Sequence, residues 1–141
     1  MTSAILAPAA LLILWTLAML GWMAATRLPE LRKIGLDNVK PGARGQDLEG
    51  LIYDRINWKA HNHTHLHEQP TLFYATVLIL ALAGFTAFDV LLAWLYVAIR
   101  IAHSVWQAKV NRVPERTALF AVSTACLFVL AARALIVTLA G

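Results

Sequence analysis

The chain has 141 residues, of which 60% are hydrophobic and 14% charged, with a mean hydropathy of +0.64. That is too apolar for a soluble domain of this size and predicts an integral membrane protein. The formal charge of +4 clusters beside apolar segments, so a nucleic-acid partner is not expected.

A helix needs roughly 20 apolar residues to cross the hydrocarbon core, and four stretches approach that length, at about 4–26, 66–88, 90–108 and 117–140. The fold expected is all-α, a bundle of four transmembrane helices over about 4–26, 57–88, 90–112 and 115–140. A loop at about 27–56 connects the first two, and all of it forms one membrane domain over 1–141. Span one carries Trp15 and Trp22 and reaches Arg27-Leu28-Pro29, where proline fits a stop just past the membrane. Its first residues, Met1-Thr2-Ser3, hold no Lys or Arg, and the apolar run exceeds a typical signal-peptide core, so a retained helix is expected.

The connector holds Gly35, Pro41-Gly42, Gly45 and Gly50 and reads as an irregular loop. It carries seven Lys or Arg, from Arg27 to Lys59, and the connection after the third span adds Lys109, Arg112 and Arg116. The positive-inside rule then puts both basic connections in the cytoplasm and both termini outside. The second helix is expected to start before the membrane with Asn57 as N-cap, and to kink at Pro70. The third should follow a tight turn at Thr86–Asp89, and Pro114 should separate it from the fourth. Cys126, the only cysteine, lies inside the fourth span and forms no intrachain disulfide.

Two polar stripes interrupt the apolar pattern. At 100° per residue, His61, His65 and Glu68 fall within an arc of about 60°, with His63 and His67 on another side. Tyr96, Arg100, His103 and Gln107 share a similar arc on the third span. An Arg near mid-span costs on the order of 2.5–3.5 kcal/mol on insertion scales, so Arg100 should face a partner or a polar cavity, and Glu68 is the obvious acidic partner. The bland alternative is that the two merely neutralise one another. A zinc site of His61, His65, Glu68 and His103 is a second alternative, opposed by the cation of Arg100 beside it. Asp89 and Arg133 are expected to have structural roles, Arg133 either pairing with Asp89 or snorkelling to the interface, and the Trp and Tyr residues near span ends to anchor at the interfaces.

Arg100-Ile-Ala-His103-Ser-Val-Trp-Gln107 followed by Arg112-Val-Pro114-Glu-Arg116-Thr117 resembles the MAPEG family, the membrane-associated proteins of eicosanoid and glutathione metabolism. The pattern is similar to that of the microsomal glutathione transferases and microsomal prostaglandin E synthase, in which Arg-x-x-His-x-x-x-Tyr precedes Arg-x-Pro-x-Arg-Ser. The spacing matches without a gap. Lys59-Ala60-His61 through Glu68 and Pro70 looks like the family's Arg-Ala-His-x-Asn-x-x-Glu block, with lengths that do not fully agree.

The resemblance implies a homotrimer of four-helix protomers that binds glutathione between neighbours at the cytoplasmic side. It implies that Glu68 holds the glutathione amine, that His65 stands at the family's Asn position, and that Arg100 and His103 hold carboxylate and backbone groups. Arg116 would stabilise the thiolate, with Thr117 at the family's Ser. His61, Gln107 and Arg112 join the binding set, with Arg27 reaching in from the adjacent protomer.

The departures are His65 for Asn, Gln107 for Tyr, Thr117 for Ser and Phe120 for a further Tyr. The expected function is a membrane glutathione transferase or peroxidase acting on lipophilic electrophiles that arrive from the bilayer. A non-catalytic lipid-binding member, resembling the five-lipoxygenase-activating protein, is the alternative. A small multidrug exporter fits poorly, because Met1–Thr26 lacks the embedded carboxylate that such exporters use.

Overall fold

The computed structural model describes residues 3–140 and, among these, contains helices and no named strand. Five α-helices follow in order: α1 Ser3–Ile34, α2 Asp54–His65, α3 Gln69–Ala83, α4 Ala87–Lys109 and α5 Val113–Ala140. Two short 3-10 turns, Leu36–Asn38 and Gly45–Leu48, lie in the connector. The helices Ala4–Ile34, Ala87–Lys109 and Val113–Ala140 are long and apolar enough to cross a bilayer. α3 has 15 residues, about 22 Å of helix, against a hydrocarbon core of about 30 Å.

α4 is the centre of the bundle. It packs most extensively on α5 and also contacts α1 and α2, while α3 lies against α1 and α5. The core joins Ile5 and Leu12 of α1, Phe73 and Val77 of α3, Val97 of α4 and Leu130 of α5, all buried. Phe73 and Tyr96 stack with ring centres 4.3 Å apart. Trp15 Nε1 donates to Ser104 Oγ at 3.0 Å, one polar tie between α1 and α4. The opposite faces are apolar and open: Leu82, Phe128 and Leu139 are each more than two-thirds exposed. A surface of this kind is stable against lipid rather than water.

Local chemistry explains where the expected boundaries moved. α1 does not stop at Pro29 but runs on to Ile34. The carbonyl that proline leaves unbonded belongs to Ala25, which is exposed, and Glu30 and Lys33 pair at 2.6 Å across the following turn. The stop comes at Gly35, whose φ of 82° suits a residue without Cβ. Asn57 is not the N-cap of α2. It is buried inside the first turn and donates to the Ile52 carbonyl, while Tyr53 precedes the helix.

The expected helix over 57–88 is two helices. The chain breaks at Leu66–Glu68, so Pro70 sits in the first turn of α3, where a missing N–H costs nothing. Residues 86–89 likewise start a helix: Thr86 caps α4, and Asp89 returns the bond to the Thr86 N–H at 2.8 Å. Pro114 lies inside the first turn of α5, and the separation of α4 from α5 is made by Val110–Arg112, with Asn111 at φ 53°.

Candidate functional site

The break between α2 and α3 exposes carbonyl groups at the end of α2, and Arg100 satisfies one of them. Its Nη2 donates to the His65 carbonyl at 3.2 Å. Arg100 is fully buried, yet its Nε and Nη1 have no partner within the protein. The expected Arg100–Glu68 ion pair is absent among the described residues. Glu68 turns instead to His65, whose Nδ1 lies 2.6 Å from Glu68 Oε2. Helical spacing no longer relates these two, since α2 ends at His65; the turn itself brings Glu68 back.

His65, His103 and Phe120 form an aromatic cluster, with ring centres 5.2 Å apart for the two histidines and 5.4 Å for His65 and Phe120. Arg100 Cζ sits 5.8 Å from the centre of the Phe120 ring. Beside this cluster opens a cavity of about 260 Å³ lined by His65, His103, Gln107, Arg116, Thr117 and Phe120. Burial lowers the pKa of His65 below its ordinary 6.5; the Glu68 hydrogen bond opposes this, and Arg100 and Arg116 add to the lowering. Burial beside two guanidinium groups thus disfavours the charged form of His65.

Arg116 is held at the mouth by the turn before α5: its Nη1 donates to Asn111 Oδ1 at 2.7 Å. Gln107 is buried and its Oε1 is without a partner in the protein, so it is a free acceptor facing the same side as His103. The third-span stripe is inward throughout, since Tyr96, Arg100, His103 and Gln107 are all buried. The tyrosine has a separate task, donating to Gln69 Oε1 at 3.3 Å, and Gln69 donates in turn to Thr124.

Arg27 and His61 lie elsewhere. They line a second cavity of about 310 Å³ with Arg44, Gln46 and Thr64. His61 pairs with Glu49 at 2.7 Å and Arg27 donates to the Gly45 carbonyl, so both fasten the connector to the helices. Arg112 lines neither cavity and pairs with Glu115 at 3.2 Å on the surface. Each cavity is at or below the roughly 300–1,000 Å³ of sites that bury a drug-sized ligand.

Two residues were not foreseen. Asn111 positions Arg116; an Asn just past a helix end and before proline is a recognisable left-handed turn signal. Asn62 is buried with both amide atoms unpartnered in the protein, and only its placement opposite the exposed side of α2 reveals it. No group of three or more His, Cys, Asp or Glu able to hold a metal ion occurs among the described residues.

A family model described as the MAPEG family matches residues 5–136. No curated protein and no solved structure matches the chain.

Proposed function

Since the chain belongs to the MAPEG family, a multi-pass integral membrane protein by its helices, we propose that it activates the thiol of glutathione against lipophilic electrophiles, as a transferase or peroxidase. Arg116 and Thr117 are the catalytic pair in this reading. His65, Glu68, Arg100, His103 and Gln107 hold the peptide, with Arg112 at the rim and Arg27 and His61 contributing from a neighbouring protomer of a homotrimer. α3, with the turn at Leu66–Glu68 before it, completes a fourth crossing, the termini lie outside, and the cavities face the cytoplasm.

The observation that carries the reading is the donor set around one cavity. Gln107 offers a bare acceptor and Arg116 lines the same cavity, while Arg100, buried against the His65 and Phe120 that line it, keeps two N–H groups without protein partners. Glutathione presents two carboxylates, an amine and a thiol, which ask for guanidinium donors, one carboxylate and a cation near sulfur. Bound there, it supplies the nucleophile, a thiolate. A free thiol titrates near 8.5, and the Arg116 guanidinium favours its anion. Glu68 balances the cations and accepts from the amine. Thr117 Oγ1 is a donor to sulfur that keeps its lone pair oriented. Phe120 walls the cavity with an apolar surface on the side of a 370 Å³ groove between α3 and α5 that opens to lipid.

The second reading, a lipid-binding member without chemistry, is favoured by that groove and by Gln107 and Phe120 standing where the family carries phenolic hydroxyls. One experiment separates the two. The ultraviolet difference spectrum of the detergent-purified protein with glutathione at neutral pH should show a thiolate band near saturation, lost in Arg116→Ala while glutathione still binds by calorimetry. No band and no binding in the unaltered protein would leave the lipid-binding reading.

A further inference from the structure

Four of the five histidines alternate from His61 to His67. His61 and His65 are engaged by Glu49 and Glu68. His63 and His67 line neither the Arg116 cavity nor the Arg27 cavity, His67 bordering a smaller one with Leu66 and Tyr74, and have each other as ring neighbours, with centres 4.5 Å apart and planes tilted by 56°. They are spaced i,i+4, and α2 ends between them at His65, so the pair straddles the break that leads to α3.

One hydrogen bond decides the state of the second ring. His67 Nδ1 lies 2.9 Å from the His63 carbonyl oxygen. A carbonyl only accepts, so Nδ1 carries the hydrogen and donates it, leaving Nε2 with a bare lone pair. Metal-bound imidazoles are oriented in this way, the non-ligating N–H given to a backbone carbonyl or carboxylate. Two imidazoles bound in cis to one cation at about 2.1 Å hold their ring centres roughly 4.5–5 Å apart. The observed 4.5 Å falls at the lower edge of that range, where rings in ordinary contact also lie.

We infer that His63 and His67 form a two-imidazole site for a divalent transition cation, water completing the coordination. By ligand type and the general order of stability, Cu²⁺ binds most tightly and Zn²⁺ less so. A bound cation ties the last turn of α2 to the turn beyond it, within the segment that presents His65 and Glu68. The site is independent of the thiol reading, since neither histidine belongs to that cavity.

Electron paramagnetic resonance of Cu²⁺ titrated into tag-free protein in detergent at pH 7.5 tests it. One ion per protomer is expected, with hyperfine structure from two imidazole nitrogens. His63→Gln and His67→Gln should each weaken binding by at least about tenfold, while His61→Gln leaves it unchanged. Far-ultraviolet circular dichroism shows whether each variant is folded. In the unaltered protein labelled with ¹⁵N-histidine, Zn²⁺ should shift the ring nitrogens of two residues, the same two that the variants remove. Copper affinity unaffected by both variants, or a signal lost in His61→Gln, overturns the inference, as does a zinc response confined to the other three histidines.

Discussion

Arg100 is costly to bury, and its position is understood through what it touches. A guanidinium with no exposure must meet acceptors, yet the protein supplies one carbonyl, from His65. Its Nε and Nη1 have no partner within the protein, and in the proposed function they serve the bound peptide. His65 is the titrating group of this set outside the spans, and its pKa is lowered, chiefly by burial. The sign follows: a base whose folded pKa lies below the unfolded 6.5 stabilises the fold fully above 6.5, and that contribution is lost as pH falls through the folded value. His65→Gln, which cannot take the proton, should therefore melt closer to, or above, the unaltered protein as pH drops from 7.5 to 5. Thermal melts in detergent with a chelator present measure this, and a melting difference constant across that range would contradict it.

The break between α2 and α3 divides the surroundings of the histidine run. Without it, His61, His65 and Glu68 would share one stripe; with it, His61 fastens the connector and Glu68 folds back onto His65. The far end of the bundle shows a different use of charge. Asp89 is buried, accepts from the Thr86 backbone and hydroxyl, and takes two hydrogen bonds from Arg133 of α5, at 3.1 and 3.2 Å. Removing the cation strands a buried carboxylate, whereas removing the carboxylate leaves an Arg that can extend toward water or headgroups. Arg133→Ala should accordingly lower the melting temperature more than Asp89→Asn. Thr86→Ala should cost about 1 kcal/mol as a lost cap. Equal effects of the two charge variants would contradict this asymmetry, and no effect of either would mean that the pair contributes nothing to α4–α5 docking.

At the scale of the molecule, Arg116 and Arg27 lie in two separate cavities of the chain. Neither alone is roomy for a tripeptide, and the proposed trimer joins them across protomers. Co-expression of Arg27→Ala with Arg116→Ala subunits tests that arrangement. Mixed trimers should recover part of the thiolate signal that either variant alone loses, because some interfaces then carry both arginines. Recovery absent from mixed assemblies of proven composition would place both residues in one protomer's site or Arg27 outside it. The open apolar faces of α1 and α5 agree with a body embedded in lipid, with the polar residues turned inward toward α4.

Composition and helical periodicity were enough to read a helical membrane protein and the inward stripe from Tyr96 to Gln107. These depend on properties local to a segment: a long apolar run has no alternative to helix in hydrocarbon, and residues at i, i+4 and i+7 share a face whatever packs on them. The family motif around Arg100 and Arg116 was legible for the same reason, being contiguous along the chain. What the sequence left open depended on meetings between distant segments. Pro29 passes inside α1 because its orphan carbonyl is exposed, and Pro70 opens a helix because the chain has already broken at Leu66–Glu68. Which acceptor Arg100 reaches and which of the histidines face a cavity are settled by how α2, α4 and α5 pack. A one-dimensional period places a side chain on a face, and only the neighbouring helix determines what that face meets.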